Sequence, residues 1–469
     1  MQTKEIRLYN TLTRTINPLQ TLEPGRCKVY CCGPTVYDFQ HIGNMRTYIF
    51  EDVLVRTLRK AGYNVNHIMN ITDVGHLVSD ADEGEDKMLV AAKREKKSSL
   101  EIAKYYTDVF FKDCKQLHIT KPNTVCNATD HITEMIDLIK RLETNGMTYL
   151  AGGNVYFDVE KLPDYGKLAK LDLEKLKAGA RIEVDSNKKS PFDFVLWFTK
   201  SKFENRELQW DSPWGRGYPG WHIECSAMSM KYLGKQFDIH CGGIDHISVH
   251  HTNEIAQSEG ATKKPWVNVW MHGEFLLMNK EKMSKSKGGF VTLSTVVDKG
   301  VDPLAYRYLC LSAHYRSQLS FSDETLENAA SGLKKLKSSI LSIKAQNGNT
   351  ALPAIPESDL ISDFENAIFD DLNMPKAMAS VWAAVNDNAL KPGEKLSILN
   401  YMDDVLGFDI NSWQEEVFDI PSDVSNLVAA REKARKEKNW SESDRLRNEI
   451  HNLGYSIEDA SGGAKVKKL

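Results

Sequence analysis

A strand-like run, Lys28-Val29-Tyr30-Cys31-Cys32, a Gly33-Pro34 turn and a helical pattern from about Gly43 to Lys60 lead directly into a second strand-like run, Asn64 to Ile71. Strand, helix and strand in such close order predict a parallel unit, because parallel neighbours need a crossover segment between them. The alternation continues to about Leu117 and predicts an α/β domain built on a parallel sheet. Ligands of such sheets bind beyond the carboxyl ends of the strands, where Gly33 and Thr72 fall. Within the first connection, His41-Ile42-Gly43-Asn44 opens the helix. Unpaired N–H groups and the helix dipole favour phosphate at that place.

Far downstream, Lys282-Met283-Ser284-Lys285-Ser286 packs two lysines and two hydroxyls into five residues ahead of Gly288-Gly289. That composition suits a loop that neutralises charge developing on a departing pyrophosphate. Each motif alone is weak: a lysine-rich pentamer is usually a solvated surface, and a lone His-Ile-Gly can be a satisfied histidine beside a turn. Their order and separation, with strand, turn and helix around the first, point together to ATP activation. The pair resembles the two signature motifs of the class I aminoacyl-tRNA synthetases.

A chain of 469 residues is too long for one ordinary domain. Hydrophobic content of 41% and charged content of 26% are those of a globular protein. The first residues lack a signal-peptide pattern and no apolar stretch reaches spanning length, so a cytoplasmic protein without membrane contact is expected. A net charge of -4 and a pI near 6.4 give no global signature of nucleic-acid binding, which leaves any such contact to local patches. The eight cysteines form neither a Cys-x-x-Cys pair nor a disulfide framework. Cys27, Cys114, Cys126 and Cys310 read as small buried hydrophobes.

The polar, glycine-marked stretch from about Cys126 to Asn205 interrupts the α/β rhythm and reads as an insertion, after which Gly220 to Gly289 resumes it. From Ser322 the pattern is helical: Ser322 is a candidate N-cap, and Leu326, Ala330, Leu333, Leu336 and Ile340 recur at helix-face spacing. Residues 346–358 read as a connection. After Pro421, Ser422 is a candidate cap for a basic helix ending near Lys438. Ser441 to Asp444 has capping-box spacing for another helix closing at Gly454, and a hairpin-like end follows.

His250 and Glu254 lie four apart, so on a helix they share one face and can bind one ion. Cys32 and Cys225 could reach the same sheet edge, but spacing does not decide between a metal site and an exposed polar pair with two buried thiols. Longer stretches carry more information. Tyr30 to Asp38, Asn70-Ile71-Thr72-Asp73, Pro219 to Met228, Phe237 to Gln257, His314 to Leu319, Asp370 to Pro375 and the carboxy-terminal module resemble the cysteinyl-tRNA synthetases over essentially the whole chain. That resemblance implies one active-site zinc per chain, held by Cys32, Cys225, His250 and Glu254.

A thiol with pKa near 8.5 loses its proton at neutral pH for roughly 2 kcal/mol, whereas an alcohol, with bulk water's value of about 15.7 as a stand-in, needs roughly 12. Even half of the difference exceeds about 10³-fold discrimination, so serine should be rejected without editing. A missing methylene in an apolar pocket would supply only about 1 to 3 kcal/mol.

The resemblance further implies a Rossmann-like catalytic domain split into residues 1–125 and 206–297 by a connective insertion, 126–205. A stem-contact region, 298–321, a helical tRNA-binding domain, 322–420, and a small mixed anticodon-binding module, 421–469, follow. It places Thr72, Trp221 and His240 with Cys32 around the substrate cysteine, and His41, Gly43, Asn44, Asp245, Lys282 and Lys285 around ATP. Of these, His41, Asn44, Lys282 and Lys285 would serve catalysis. Magnesium is expected with ATP, although no dedicated carboxylate cage is evident. Arg435, Trp440, Asp444 and Asp459 would meet tRNA(Cys), and by the same resemblance the chain is a monomer. Cysteine's carboxylate would attack the α-phosphate of ATP, with no side-chain nucleophile needed.

Several departures qualify this transfer. Asn44 stands where the family usually has a second histidine and cannot carry imidazolium charge. Pro34 replaces a common aliphatic residue, and Val74-Gly75-His76-Leu77 replaces an acidic and lysine-bearing continuation, so no lysine chemistry is transferred there. Cys241 is a further thiol close to the expected site. The rivals are a ligase passing activated cysteine to a small amine such as an amino-sugar, which has little use for the module after Pro421, and a non-catalytic RNA-binding paralogue, which the intact Lys282 to Ser286 run argues against.

Overall fold

The computed structural model describes residues 3–74, 87–171, 186–200, 207–278, 281–282, 290–414, 420–460 and 463–468. Lys285 lies outside them, and of Lys282 the backbone alone is described. Two compact units result, 1–412 and 413–469. No helix among the described residues is long and apolar enough to cross a membrane.

The larger unit is built on a five-stranded parallel sheet. Its strands are β3 (Arg26–Cys31), β4 (Asn64–Ile71), β5 (Thr124–Asn127), β10 (Phe237–Gly243) and β11 (Val267–Gly273), in the order β11-β10-β3-β4-β5. Burial of β3, β4 and β10 along most of their lengths reflects cover on both faces. The chain leaves β3 toward β4 and β5 on one side and returns to β10 and β11 on the other, so the topological switch point lies between β3 and β10. Cys32 and Gly33 follow β3 there.

Helix α1 (Ile42–Lys60) crosses between β3 and β4 as expected. His41 is its N-cap: His41 Nδ1 accepts from Asn44 N–H at 3.0 Å, while Asn44 Oδ1 accepts from His41 N–H at 3.3 Å. Arg59 and Lys60 in the last turn complement the dipole.

Parallel pairing continues through residue 127, beyond the point where polarity and glycine interrupt the sequence pattern. The helix Ile132–Thr144 also joins the sheet's cover. Met135, Leu138, Ile139 and Leu142 share one core with Ile223 and Met228 and with Ile255. The inserted layer is a four-stranded antiparallel sheet of β6 (Thr148–Ala151), β7 (Asn154–Phe157), β8 (Phe194–Phe198) and β9 (Tyr218–Pro219). Two small pieces complete this region. β1 (Arg7–Asn10) and β2 (Thr15–Pro18) form a hairpin, while β12 (Leu276–Met278) pairs antiparallel with β13 (Glu281–Lys282) and parallel with β14 (Leu319–Phe321).

Helices Asp323–Asn347, Asp359–Phe369, Met374–Asn386 and Pro392–Leu406 follow. Ser322 caps the first, accepting from Thr325 N–H. Its buried stripe runs through Leu326, Ala329, Leu333, Leu336, Ile340 and Ile343, so Ala329 takes the place that the spacing gave to Ala330, which is half-buried. Arg307 joins this region to the parallel-sheet layer. Its fully buried guanidinium donates to Asp52 Oδ2 (2.6 Å), Leu117 O (2.9 Å) and Leu406 O (2.6 Å).

In the smaller unit, helices Ser422–Lys436 and Trp440–Asn452 pack on a hairpin of β15 (Tyr455–Ala460) and β16 (Gly463–Lys468) around Val424, Ile450 and Ile457. Both expected caps shift. Pro421 takes the N-cap place ahead of Ser422, and Asn439 rather than Ser441 caps the next helix, accepting from Glu442 N–H at 3.3 Å. Ser441 lies one residue inside that helix, where its main chain is already helical.

Candidate active site and metal centre

Three separate segments deliver a donor cluster to the switch point. Cys32 follows β3, and Gly33 lets β3 run close against β4: a Cβ there would sit 1.6 Å from Asn70 O, so only glycine fits. Cys225 lies in the helix Trp221–Leu233, whose cap Gly220 passes so near β8 that a Cβ would stand 2.0 Å from Val195 O. His250 and Glu254 share a face of the helix His250–Thr262, with His250 Nε2 2.8 Å from Glu254 Oε1. The donor atoms of Cys32, Cys225, His250 and Glu254 all lie within 4.8 Å of one another, and all four residues are buried.

The charges of this cluster are strongly coupled. Burial opposes a charged His250, yet Glu254 and Cys225 hold it up at about 10. Glu254, with burial outweighed by His240 and His250, is lowered to about 2. The hydrogen bond with Cys32 lowers Cys225 to about 7 against burial, whereas burial and Cys225 push Cys32 upward. Two sulfurs, an imidazole and a carboxylate at this spacing are the donor types and number of a tetrahedral zinc site. The residues present therefore fit that metal.

A second layer of histidines surrounds the cluster. His240 Nε2 lies 2.9 Å from Glu254 Oε2, and its ring stacks on Trp270 at 4.7 Å. His251 Nε2 is 3.3 Å from Cys32 Sγ, His251 Nδ1 is 2.8 Å from His272 Nε2, and His272 Nδ1 is 2.8 Å from Thr11 Oγ1. Burial pushes both His251 and His272 well below the usual imidazole range, so the chain is one of neutral rings. A neutral His251 that donates to the Cys32 sulfur accepts in turn from His272, which accepts from the Thr11 hydroxyl. On the far side, His222 Nδ1 is 3.0 Å from His250 Nδ1. Cys32, His240, His251 and Glu254 form a second donor group that overlaps the first.

The residues expected around cysteine gather here. Thr72 is buried and donates to Glu224 Oε2 (3.1 Å) on the helix that carries Cys225, while Asn70 Nδ2 donates to Thr72 Oγ1 (3.0 Å). The Trp221 ring lies 4.3 Å from that of His250. Cys241 stays apart: it pairs with Cys31 across β10 and β3 and belongs to neither donor group.

The residues expected around ATP divide into three sets. His41, Gly43 and Asn44 form the first turn of α1, where a Cβ on Gly43 would lie 3.0 Å from the His41 ring. Ile42 N–H is taken by Val291 O (2.9 Å) and Asn44 N–H by His41, so the helix terminus offers fewer amides to phosphate than its position alone suggests. Asp245 is exposed on the turn Ile244–His246 just after β10. Lys282 stands in β13, opposite Leu277.

In the smaller unit, the Arg435 guanidinium lies 5.9 Å from the Trp440 ring centroid, Trp440 is 58% exposed, and Asp444 is exposed one turn on. Asp459 lies in β15 opposite Ala464, and its side chain is outside the description.

Known proteins resemble the chain over nearly all its length. The family model for the class I (C) tRNA synthetase catalytic domain matches residues 18–331, and that for the cysteinyl-tRNA ligase anticodon binding domain matches 418–466. A cysteine--tRNA ligase of Treponema denticola is 51% identical, covering 99% of this chain and 100% of its own length. Cysteine--tRNA ligase 1 of Burkholderia lata is 46% identical over 98% of this chain and 96% of its own. Among solved structures, Mycobacterium tuberculosis methionyl-tRNA synthetase bound by methionyl-adenylate shares the fold, with a TM-score of 0.55 at 15% identity over 82% of this chain and 93% of that one. The parallel sheet, the donor cluster at its switch point and these full-length matches place the chain in the cysteine--tRNA ligase family of class I aminoacyl-tRNA synthetases.

Proposed function

We propose that the chain activates L-cysteine with ATP and transfers it to the 3′-terminal adenosine of tRNA(Cys), selecting cysteine through a zinc held by Cys32, Cys225, His250 and Glu254. The convergence of those four buried donors from three segments carries this reading. Zinc there would supply a soft cation that favours a thiolate over a hydroxyl.

The remaining work falls to the chain's own side chains. Thr72, Trp221 and His240 shape the pocket for cysteine, with His240 also orienting Glu254 through its second oxygen. His41 and Gly43 face ATP from the helix terminus. Asn44 acts by capping: its side-chain Oδ1 accepts from His41 N–H while its main-chain N–H engages His41 Nδ1, so phosphate contact falls to Nε2. Asp245 serves the adenosine portion, and Lys282 and Lys285 balance charge on the phosphates as the cysteine carboxylate displaces pyrophosphate, with magnesium accompanying the nucleotide. Arg435, Trp440, Asp444 and Asp459 present cationic, aromatic and carboxylate groups suited to exposed bases of the tRNA. A small-amine cysteine ligase is disfavoured by the match of residues 418–466 to an anticodon-binding family.

Cysteine-dependent pyrophosphate exchange followed by charging of tRNA(Cys) tests the proposal, with zinc measured in the same preparation. Exchange with cysteine and not serine, about one zinc per chain and stable charging are expected. Equal exchange with serine, or activity in protein that holds no zinc, would refute the selection step.

A further inference from the structure

Arg46 is buried in α1, two residues beyond Asn44, at 4% exposure. Among the described residues it has no carboxylate partner. Its guanidinium instead donates to four main-chain carbonyls: Glu274 O at 2.9 Å, Phe275 O at 2.5 Å, His314 O at 3.3 Å and Ser317 O at 2.5 Å. A buried cation is costly unless its hydrogen bonds are satisfied. Four carbonyls from two distant segments supply that satisfaction, and they keep those segments together.

The two segments meet where β12 and β14 begin to pair. Glu274 N–H donates to Tyr315 O (2.8 Å) and Leu319 N–H to Phe275 O (3.2 Å), after which Leu276 pairs with Leu319. One residue further, Leu277 lies opposite Lys282 in β13. The path from α1 to the lysine motif is therefore short: Arg46, Phe275, Leu277, Lys282. Downstream of that motif the chain returns to the same helix, since Ile42 N–H donates to Val291 O and His41 bridges Thr292. The backbone on both flanks of the lysine segment is thus hydrogen-bonded to α1, and on the upstream flank the bonds come from one side chain.

We propose that Arg46 is a positioning residue for ATP activation: it fixes the β12–β13 ribbon bearing Lys282 at one distance from the α1 terminus. Arg46 itself touches no reacting atom. The inference rests on the reading of Lys282 as a phosphate ligand. A planar fork donating to several carbonyls is a role lysine cannot fill, since its ammonium cannot reach two segments in the same geometry.

The test uses full-length Arg46→Lys and Arg46→Met proteins, with kcat and KM of pyrophosphate exchange, zinc content and thermal midpoint measured for each. Misplacement of catalytic groups by about 1 Å costs on the order of 100-fold. The expected result is a fall of that order in exchange kcat for Arg46→Lys, with the KM for cysteine within about twofold of wild type and zinc retained. Arg46→Met should behave alike, with partial recovery of kcat in millimolar guanidinium. A merely structural arginine would lower the thermal midpoint while leaving kcat per folded molecule unchanged. Wild-type kcat in folded Arg46→Lys, or a KM for cysteine that rises as much as kcat falls, would overturn the inference. Absence of exchange in the wild-type protein would instead overturn the proposed function.

Discussion

Gly33→Ala isolates the backbone geometry that places Cys32. The added Cβ would meet Asn70 O at 1.6 Å, and opening that gap to 3.0 Å moves the strand ends apart by at least about 1.4 Å. The obstacle is main chain, so no rotamer change relieves it. Three hydrogen bonds span the strained junction: Gly33 N–H to Asn70 Oδ1 (2.9 Å), Thr72 N–H to Pro34 O (3.0 Å) and Val36 N–H to Thr72 O (3.2 Å). At about 1 kcal/mol each, their loss amounts to roughly 3 kcal/mol.

The functional effect should be comparable in size to the stability effect. Metal–ligand distances tolerate only about 0.2 Å, so a shift of this size in the residue after Cys32 should lower zinc affinity by at least about 10-fold to 100-fold. Exchange kcat should fall by about 100-fold. Zinc retention against a chelator of known affinity and cysteine-dependent pyrophosphate exchange read the two effects. Gly300→Ala is the control: its φ of +77° makes alanine costly by about 1 to 2 kcal/mol, yet among the described residues no atom beyond its chain neighbours lies within 4 Å of the new Cβ, so zinc and activity should be unchanged. A Gly33→Ala protein with wild-type zinc retention and exchange would refute the argument that strand approach sets the site.

Arg307→Met should destabilise the larger unit by about 3 to 5 kcal/mol in a denaturant melt, because among the described residues Asp52 remains buried with only Arg56 Nε and Thr120 N–H as hydrogen-bond partners; a loss below 1 kcal/mol would contradict this. Burial raises the Asp113 carboxyl to about 6, so its ionisation opposes folding above that pH, and the penalty disappears as pH falls toward the unfolded value near 4. Asp113→Asn should accordingly gain about 1 to 2 kcal/mol at pH 7.5, after discounting for solvent, and nothing near pH 4; an equal gain at both would show a cause other than charge. Arg435→Ala should weaken tRNA charging about 10-fold while pyrophosphate exchange stays within twofold; equal loss in both assays would remove Arg435 from tRNA recognition.

The sequence makes some of this structure legible and hides the rest for identifiable reasons. β3 and α1 fall almost where periodicity puts them, because Pro24-Gly25 and Gly33-Pro34 bound the strand and α1 is long enough to show its period. The antiparallel insertion was visible only as interrupted rhythm, since β6 and β7 are four residues each, too short for alternation to register. The Ala329–Ala330 displacement and the Asn439 cap are one- or two-residue shifts between chemically similar neighbours, which local pattern does not resolve. Spacing alone offered His250 with Glu254, and resemblance to a family supplied Cys32 and Cys225. Apart from His240, the second layer was missed. His251 and His222 had a signal in the His-His and Trp-His runs, whereas His272 is a lone histidine near a strand end, and tertiary proximity to His251 alone gives it meaning.

Spectroscopy of cobalt-substituted protein tests the central claim most directly, because the sulfur ligands of the metal absorb in a region where the polypeptide does not. Cobalt held by Cys32 and Cys225 should show thiolate charge-transfer absorption that increases when cysteine is added and does not change with serine. The baseline band should weaken in Cys225→Ser. An unchanged spectrum on adding saturating cysteine, or the same response to serine, would contradict selection of the substrate by its sulfur.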